Sequence, residues 1–299
     1  MGMGQRLGCR KTSIIRSMEI DVAKERILLF SPQIPKNDAS SIAWQKKLSA
    51  FDAISQVSSF LSRPKDDDFE CVYEEFRYEP FWHVVAQAKY VYDRSSSYQV
   101  KASGAEVKQV SIDTKTYDVE SGHIHIPVCE NCVQTEEEEV FIDGISGKTI
   151  NEYRQYLSLS PQDITTDSMK HFPKDAIVIP PQTRVSAIMR DALSKMIKGI
   201  QADTIHEEEI KVPCVDLYYR PVYAFQYTWK SKGKKSILEI DGITGNSTTG
   251  NRTFQEYIGK VLDPSFLFDV GADAAGMLIP GGSIAVKVAK KYLDTRKKH

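Results

Sequence analysis

Residues 76–84 read FRYEPFWHV, and residues 217–225 read LYYRPVYAF. Both are dense in aromatic and β-branched side chains, which favour extended backbone. In the second stretch, continued to Trp229, Pro221, Tyr223, Phe225, Tyr227 and Trp229 fall on one side, and Val222, Ala224, Gln226 and Thr228 on the other. A period of two is a strand's. It puts the aromatics of residues 221–229 on one face, which the pattern predicts to pack on the preceding helix.

Working outward, two more pairs of segments match in the same order. ILLFSPQ (27–33) matches AIVIPPQ (176–182), and VFIDGISG (140–147) matches LEIDGITG (238–245). The chain reads as a duplication. Each pass begins with an apolar run closed by proline, which disfavours a helix through that point. Helical stripes follow: Trp44, Leu48, Phe51, Ile54, Val57 and Leu61 in the first pass; Val185, Ile188, Met189, Leu193, Met196, Ile197 and Ile200 in the second. Steps of three and four residues place each set on one helix face. A long β-prone segment comes next, then a short strand ending in Ile-Asp-Gly-Ile-Ser/Thr-Gly, a tight-turn signal. Short helices are predicted after the turns, at Asn151–Leu157 and Thr253–Leu262.

These elements predict an α+β fold: two related modules, each a helix packed on an antiparallel sheet, plus a C-terminal helical segment. The expected divisions are a basic N-terminal tail (1–25), a first module (26–160) with an inserted β region at about 94–134, a second module (161–262) and a small-residue-rich appendage (263–299). A helix followed by strands and a terminal Ile-Asp-Gly turn resembles the PepSY and cystatin-like modules, over residues 40–150 and 177–250. That resemblance implies non-catalytic binding or inhibitory units, and it transfers no functional residue.

Composition sets limits. The 299 residues are 41% hydrophobic and 26% charged, the balance of a soluble folded chain. Net charge is −1, so no global field selects nucleic acid. Five cysteines are too few and too scattered for a disulfide framework, and the basic N-terminus lacks the apolar run of a secretory signal. The expectation is a cytoplasmic protein, with contact to a membrane surface as an alternative.

Function is sought in what was not copied. From Pro80 to Ile142 is 62 residues and from Pro221 to Ile240 is 19, so the first pass carries 43 extra. Within them lie His123, His125, Cys129 and Cys132, donor types suited to zinc. Their spacing is tighter than that of structural sites, which join two clusters across a dozen or so residues. Two exposed histidines and two unreactive thiols, with no cofactor, is therefore the first reading, and zinc or thiol chemistry the second. Gly147-Lys148-Thr149 ends like a phosphate loop, but the earlier glycine is missing at Ile142. Glu136–Glu139 and Glu207–Glu209 read as solvated strand ends, and His83 as structural. At the C-terminus, residues 283–293 are predicted to form a helix. Ile284, Val288 and Tyr292 would share a stripe beside Lys287, Lys290 and Lys291, to dock on the protein's own sheets, a partner or lipid. The leading functional expectation is a non-catalytic interaction or scaffold protein that meets a protein partner or itself. A zinc or thiol enzyme and a peripheral membrane protein are the alternatives.

Overall fold

The two aromatic stretches lie side by side, antiparallel, at the centre of one sheet. Tyr78 faces Pro221, Glu79 faces Arg220 and Pro80 faces Tyr219. The computed structural model describes residues 18–51, 64–165, 171–197, 199–250 and the backbone of 284–288. In chain order the elements are β1 (Met18–Val22), β2 (Arg26–Leu29), α1 (Lys36–Gln45), β3 (Phe69–Lys101), β4 (Gln109–Ile112), β5 (Lys115–Asp118) and β6 (His123–Asp143). A 3-10 helix (Asn151–Ser158), β7 (Gln162–Asp163), β8 (Ile177–Val178) and α2 (Val185–Met196) follow. The last are β9 (Thr204–Trp229), β10 (Lys234–Asp241), β11 (Ser247–Gly250) and β12 (Ile284–Val288).

Among the described residues, ten strands form one mixed sheet, and β4 and β5 form a separate hairpin. This corrects the expected pair of helix-on-sheet modules. The protein is mostly β, and β3 and β9, the long strands of the two passes, are hydrogen-bonded neighbours. The outer edge of β9 is lined in turn by β10, β2 and β1. The outer edge of β3 is lined by β8 and then β6. Both prolines fall where the outer neighbour changes: β8 ends at Tyr78 and β6 starts at Phe81, while β2 ends at Tyr219 and β10 starts at Val222. A missing N–H interrupts no ladder there.

The matched segments make matched contacts, but across the passes. β2, from the first pass, runs parallel to β9, and β8, from the second, runs parallel to β3. Gln33 N donates to Gly242 O at 2.8 Å, and Gln182 N donates to Gly144 O at 2.7 Å. The helices cross over in the same way. In α1, Ala39 and Ala43 are fully buried, and these small side chains let the helix approach Tyr223, Phe225, Tyr227 and Trp229. In α2, Val185, Ile188, Met189, Ala192, Leu193 and Met196 form an i, i+3, i+4 stripe that packs over Trp82, Val84 and Tyr90. The aromatic face of β9 is thus covered by α1, not by the helix that precedes it.

Each Asp-Gly turn is fixed by its aspartate. Asp143 Oδ1 accepts from the amides of Ile145 and Ser146, and Asp241 Oδ1 from those of Ile243 and Thr244. Only the second glycine of each turn has positive φ: Gly147 at 70° and Gly245 at 72°. The first is needed for room. A Cβ on Gly144 would lie 2.8 Å from Pro80 O.

The extra residues of the first pass lengthen β3 and β6 and add the β4–β5 hairpin at their tip. Pairing of β9 with β3 ends at Thr204 and Asp93, while β6 follows β3 on to Lys101. A two-stranded ribbon therefore projects beyond the central sheet.

Two helix expectations change. The stripe predicted from Ser41 to Leu61 is a shorter α1 that starts at Lys36, followed by a 3-10 turn at Lys47–Ala50; residues 52–63 lie outside the described residues. Ile284–Val288, predicted as helix, is instead a strand, β12, parallel to β1. Tyr292, Lys290, Lys291 and the helix expected at Thr253–Leu262 lie outside the described residues. No helix among the described residues is long and apolar enough to cross a membrane.

Candidate functional site

Along β3, alternate side chains serve different faces. Trp82, Val84 and Ala86 enter the core under α2, while Phe81 packs on the opposite face with Phe30, Phe141, Tyr153, Tyr156 and Tyr218. His83 shares that second face, stacked on Phe141 at 4.6 Å. Its partner across the strand pair is Asp216. Next to it the register slips: Val85 faces Cys214, but Gln87 faces Lys211. Pro213 sits in this bulge, a tolerated place for a residue without N–H. Because of the extra residue, Ile210 and Val212 join Val215 and Leu217 in one core, while Cys214 turns to the face of His83 and Asp216.

Three donor atoms converge here. Cys214 Sγ lies 3.4 Å from His83 Nδ1 and 3.2 Å from Asp216 Oδ2. His83 Nε2 is 2.8 Å from Glu139 Oε1, and Glu139 also pairs with Arg154. A proton on Nε2, facing that carboxylate, leaves Nδ1 as an acceptor aimed at the sulfur. Asp216 is almost wholly buried and is held from the other side by Arg26, with Nε to Oδ1 at 2.8 Å and Nη2 to Oδ2 at 2.6 Å. The Tyr218 hydroxyl is 3.4 Å from Oδ2. Burial, with the Asp216 charge and hydrogen bond, pushes the Cys214 thiol up to about 12. Unaided, this sulfur is a protonated donor rather than a nucleophile.

Further along the same ladder, where Glu79 faces Arg220, lies a buried ion network. Arg77 pairs with Glu75 at 2.8 Å, with Glu79 at 2.7 Å and with Glu239. Arg220 pairs with Glu79 at 2.7 Å and Asp241 at 2.8 Å. Tyr153 donates to Asp143, and Tyr156 to Asp241. The 3-10 helix thereby ties both Asp-Gly turns together.

The residues first singled out for zinc are not brought together. His123, His125, Cys129 and Cys132 all lie on β6, where the expected Cys-x-x-Cys turn is uninterrupted strand. At a strand's rise, nine residues from His123 to Cys132 span about 30 Å. Cys129 is also engaged in a disulfide, which corrects the reading of it as a thiol. The glutamates read as solvated ends are partly tied in: Glu138 to Lys195, Glu139 to His83, Glu207 to Lys89. His83 was visible only as a histidine in a strand. Its companions Cys214 and Asp216 share the i, i+2 spacing of one strand face, a signal that acquires meaning only once β3 and β9 are paired. No family model, curated protein or solved structure matches the chain.

Proposed function

We propose that the chain is a non-catalytic interaction protein that engages a protein partner through the outer β3–β6 ribbon. The observation that carries this is the exposure of large apolar side chains there: Tyr98 at 53%, Val100 at 46% and, in the hairpin at the tip, Ile112 at 42%. Tyr98 and Val100 stand two apart on one strand and so share a face. Several large apolar groups exposed on one projecting element are a feature of contact surfaces. Beyond Asp93 the β9-side edge of β3 has no further strand among the described residues, and such an edge is a template for pairing.

The test is site-specific photocrosslinking in the native host. A photoreactive residue at Tyr98 is expected to give a discrete adduct, either with another protein or at twice the mass of this chain. The same probe at exposed Gln155 should not give it, and Val100→Glu should remove it. Identical adducts at both positions, or none at Tyr98, would refute the reading.

A further inference from the structure

We infer that His83, Cys214 and Asp216 form a binding site for one thiophilic divalent metal ion of the zinc class. The three donor atoms all lie within 4.8 Å of one another. With metal–ligand bonds of about 2.0–2.3 Å, a tetrahedral site has ligand atoms roughly 3.3–3.8 Å apart. The separations of 3.4 Å and 3.2 Å from the sulfur are close to those edges. The sulfur also carries a single proton, which can serve Nδ1 or the carboxylate but not both. A cation at the centre would be held by all three.

The donor set selects the metal. One sulfur, one imidazole and one carboxylate suit zinc-like ions and disfavour magnesium and calcium, which take oxygen. Three protein ligands leave a fourth position for water or a small ligand. The outer shell is also of the kind that metal sites use. Glu139 holds the far nitrogen of His83, and Arg154 holds Glu139. The ligands stand on two adjacent strands of the central sheet, so their spacing is set by backbone pairing.

Arg26 is the internal competitor. Its guanidinium lies on the same Asp216 oxygen that a metal would use. With 53% of its side chain exposed, it can swing into water when an ion enters. Removing its charge should therefore tighten binding.

The test is titration of the full, metal-stripped chain with Co(II), followed by competition with Zn(II). The expected spectrum has a thiolate-to-cobalt charge-transfer band and intense tetrahedral d–d bands that saturate at one ion per chain. Cys214→Ser should abolish the charge-transfer band, and Cys132→Ser should leave it. Arg26→Ala should bind about two- to fivefold more tightly, the upper part of the range for a surface ion pair removed. Should Cys214→Ser fail to fold, X-ray absorption of the zinc-loaded chain carrying Cys71→Ser and Cys132→Ser, the other free cysteines among the described residues, gives the same answer: one sulfur is expected among the zinc ligands. A spectrum without the thiolate band, a band that survives Cys214→Ser, or zinc with no sulfur ligand in the chain carrying Cys71→Ser and Cys132→Ser would overturn the site. Unchanged affinity in Arg26→Ala would overturn only the role of Arg26.

Discussion

Arg220→Met removes one cation from the middle of the β3–β9 ladder and keeps the apolar stem. The side chain is only 15% exposed, and it pairs with Glu79 and Asp241, which are 1% and 7% exposed. Its loss leaves both carboxylates in a poorly solvated place. Each keeps something: Glu79 still has Arg77, and Asp241 still has the Tyr156 hydroxyl and two backbone amides. Breaking a buried pair costs roughly 3–5 kcal/mol, and these remaining partners argue for the lower part, about 3–4 kcal/mol. The assay is equilibrium urea unfolding followed by the fluorescence of Trp44, Trp82 and Trp229, with an unchanged slope. Glu79→Gln in the same chain should recover part of the loss, leaving the double variant about 1–2 kcal/mol more stable than the sum of the singles. The pH dependence has a defined sign. Burial raises the Asp241 carboxyl, but Arg220, Tyr156 and the amides of Thr244 and Ile243 outweigh it and hold it below the ordinary aspartate value. A depressed folded value contributes stability above the unfolded value of about 3.9, lost as pH falls through the folded one. Acid unfolding of Arg220→Met should therefore begin at higher pH than in the wild type. A loss under about 1 kcal/mol, or strictly additive losses, would refute the reasoning.

Three further outcomes follow from particular contacts. Gly144→Ala should cost about 1–3 kcal/mol in the same urea assay, because its Cβ meets the backbone of Pro80, whereas Gly199→Ala, with open space around it, should be neutral or slightly stabilising. Tyr219→Phe should be neutral or raise stability by up to about 1 kcal/mol, since the hydroxyl is buried in the α2 core without a hydrogen-bond partner among the described residues; a large loss would reveal one. Glu208 faces Tyr90 across the sheet, and burial raises its carboxyl. A raised folded value means that ionisation opposes folding, so Glu208→Gln should raise Tm at pH 7, and the gain should vanish as the pH is lowered below about 4.

The sequence by itself determined the local elements wherever a short-range pattern encoded them. Period-two aromatics marked β9, the i, i+3, i+4 stripe marked α2, and Asp-Gly marked two turns that proved alike down to their amide contacts. It also located the first-pass insertion, whose residues became the ribbon and hairpin. Tertiary structure alone decided how these parts were combined. Periodicity says which face of a strand is apolar but not which strand lies beside it. β3 and β9 were each expected to sit in a sheet of their own, yet they pair with each other. That pairing lets both halves complete their backbone hydrogen bonds in a single sheet and sends each helix to the sheet portion of the other pass. The candidate metal centre depends on the same step. His83 and Cys214 are 131 residues apart, and only the β3–β9 register, with its bulge at Pro213, points both at Asp216. The clustered histidines and cysteines of residues 123–132 were close in sequence, but extended backbone separates what a turn would have gathered.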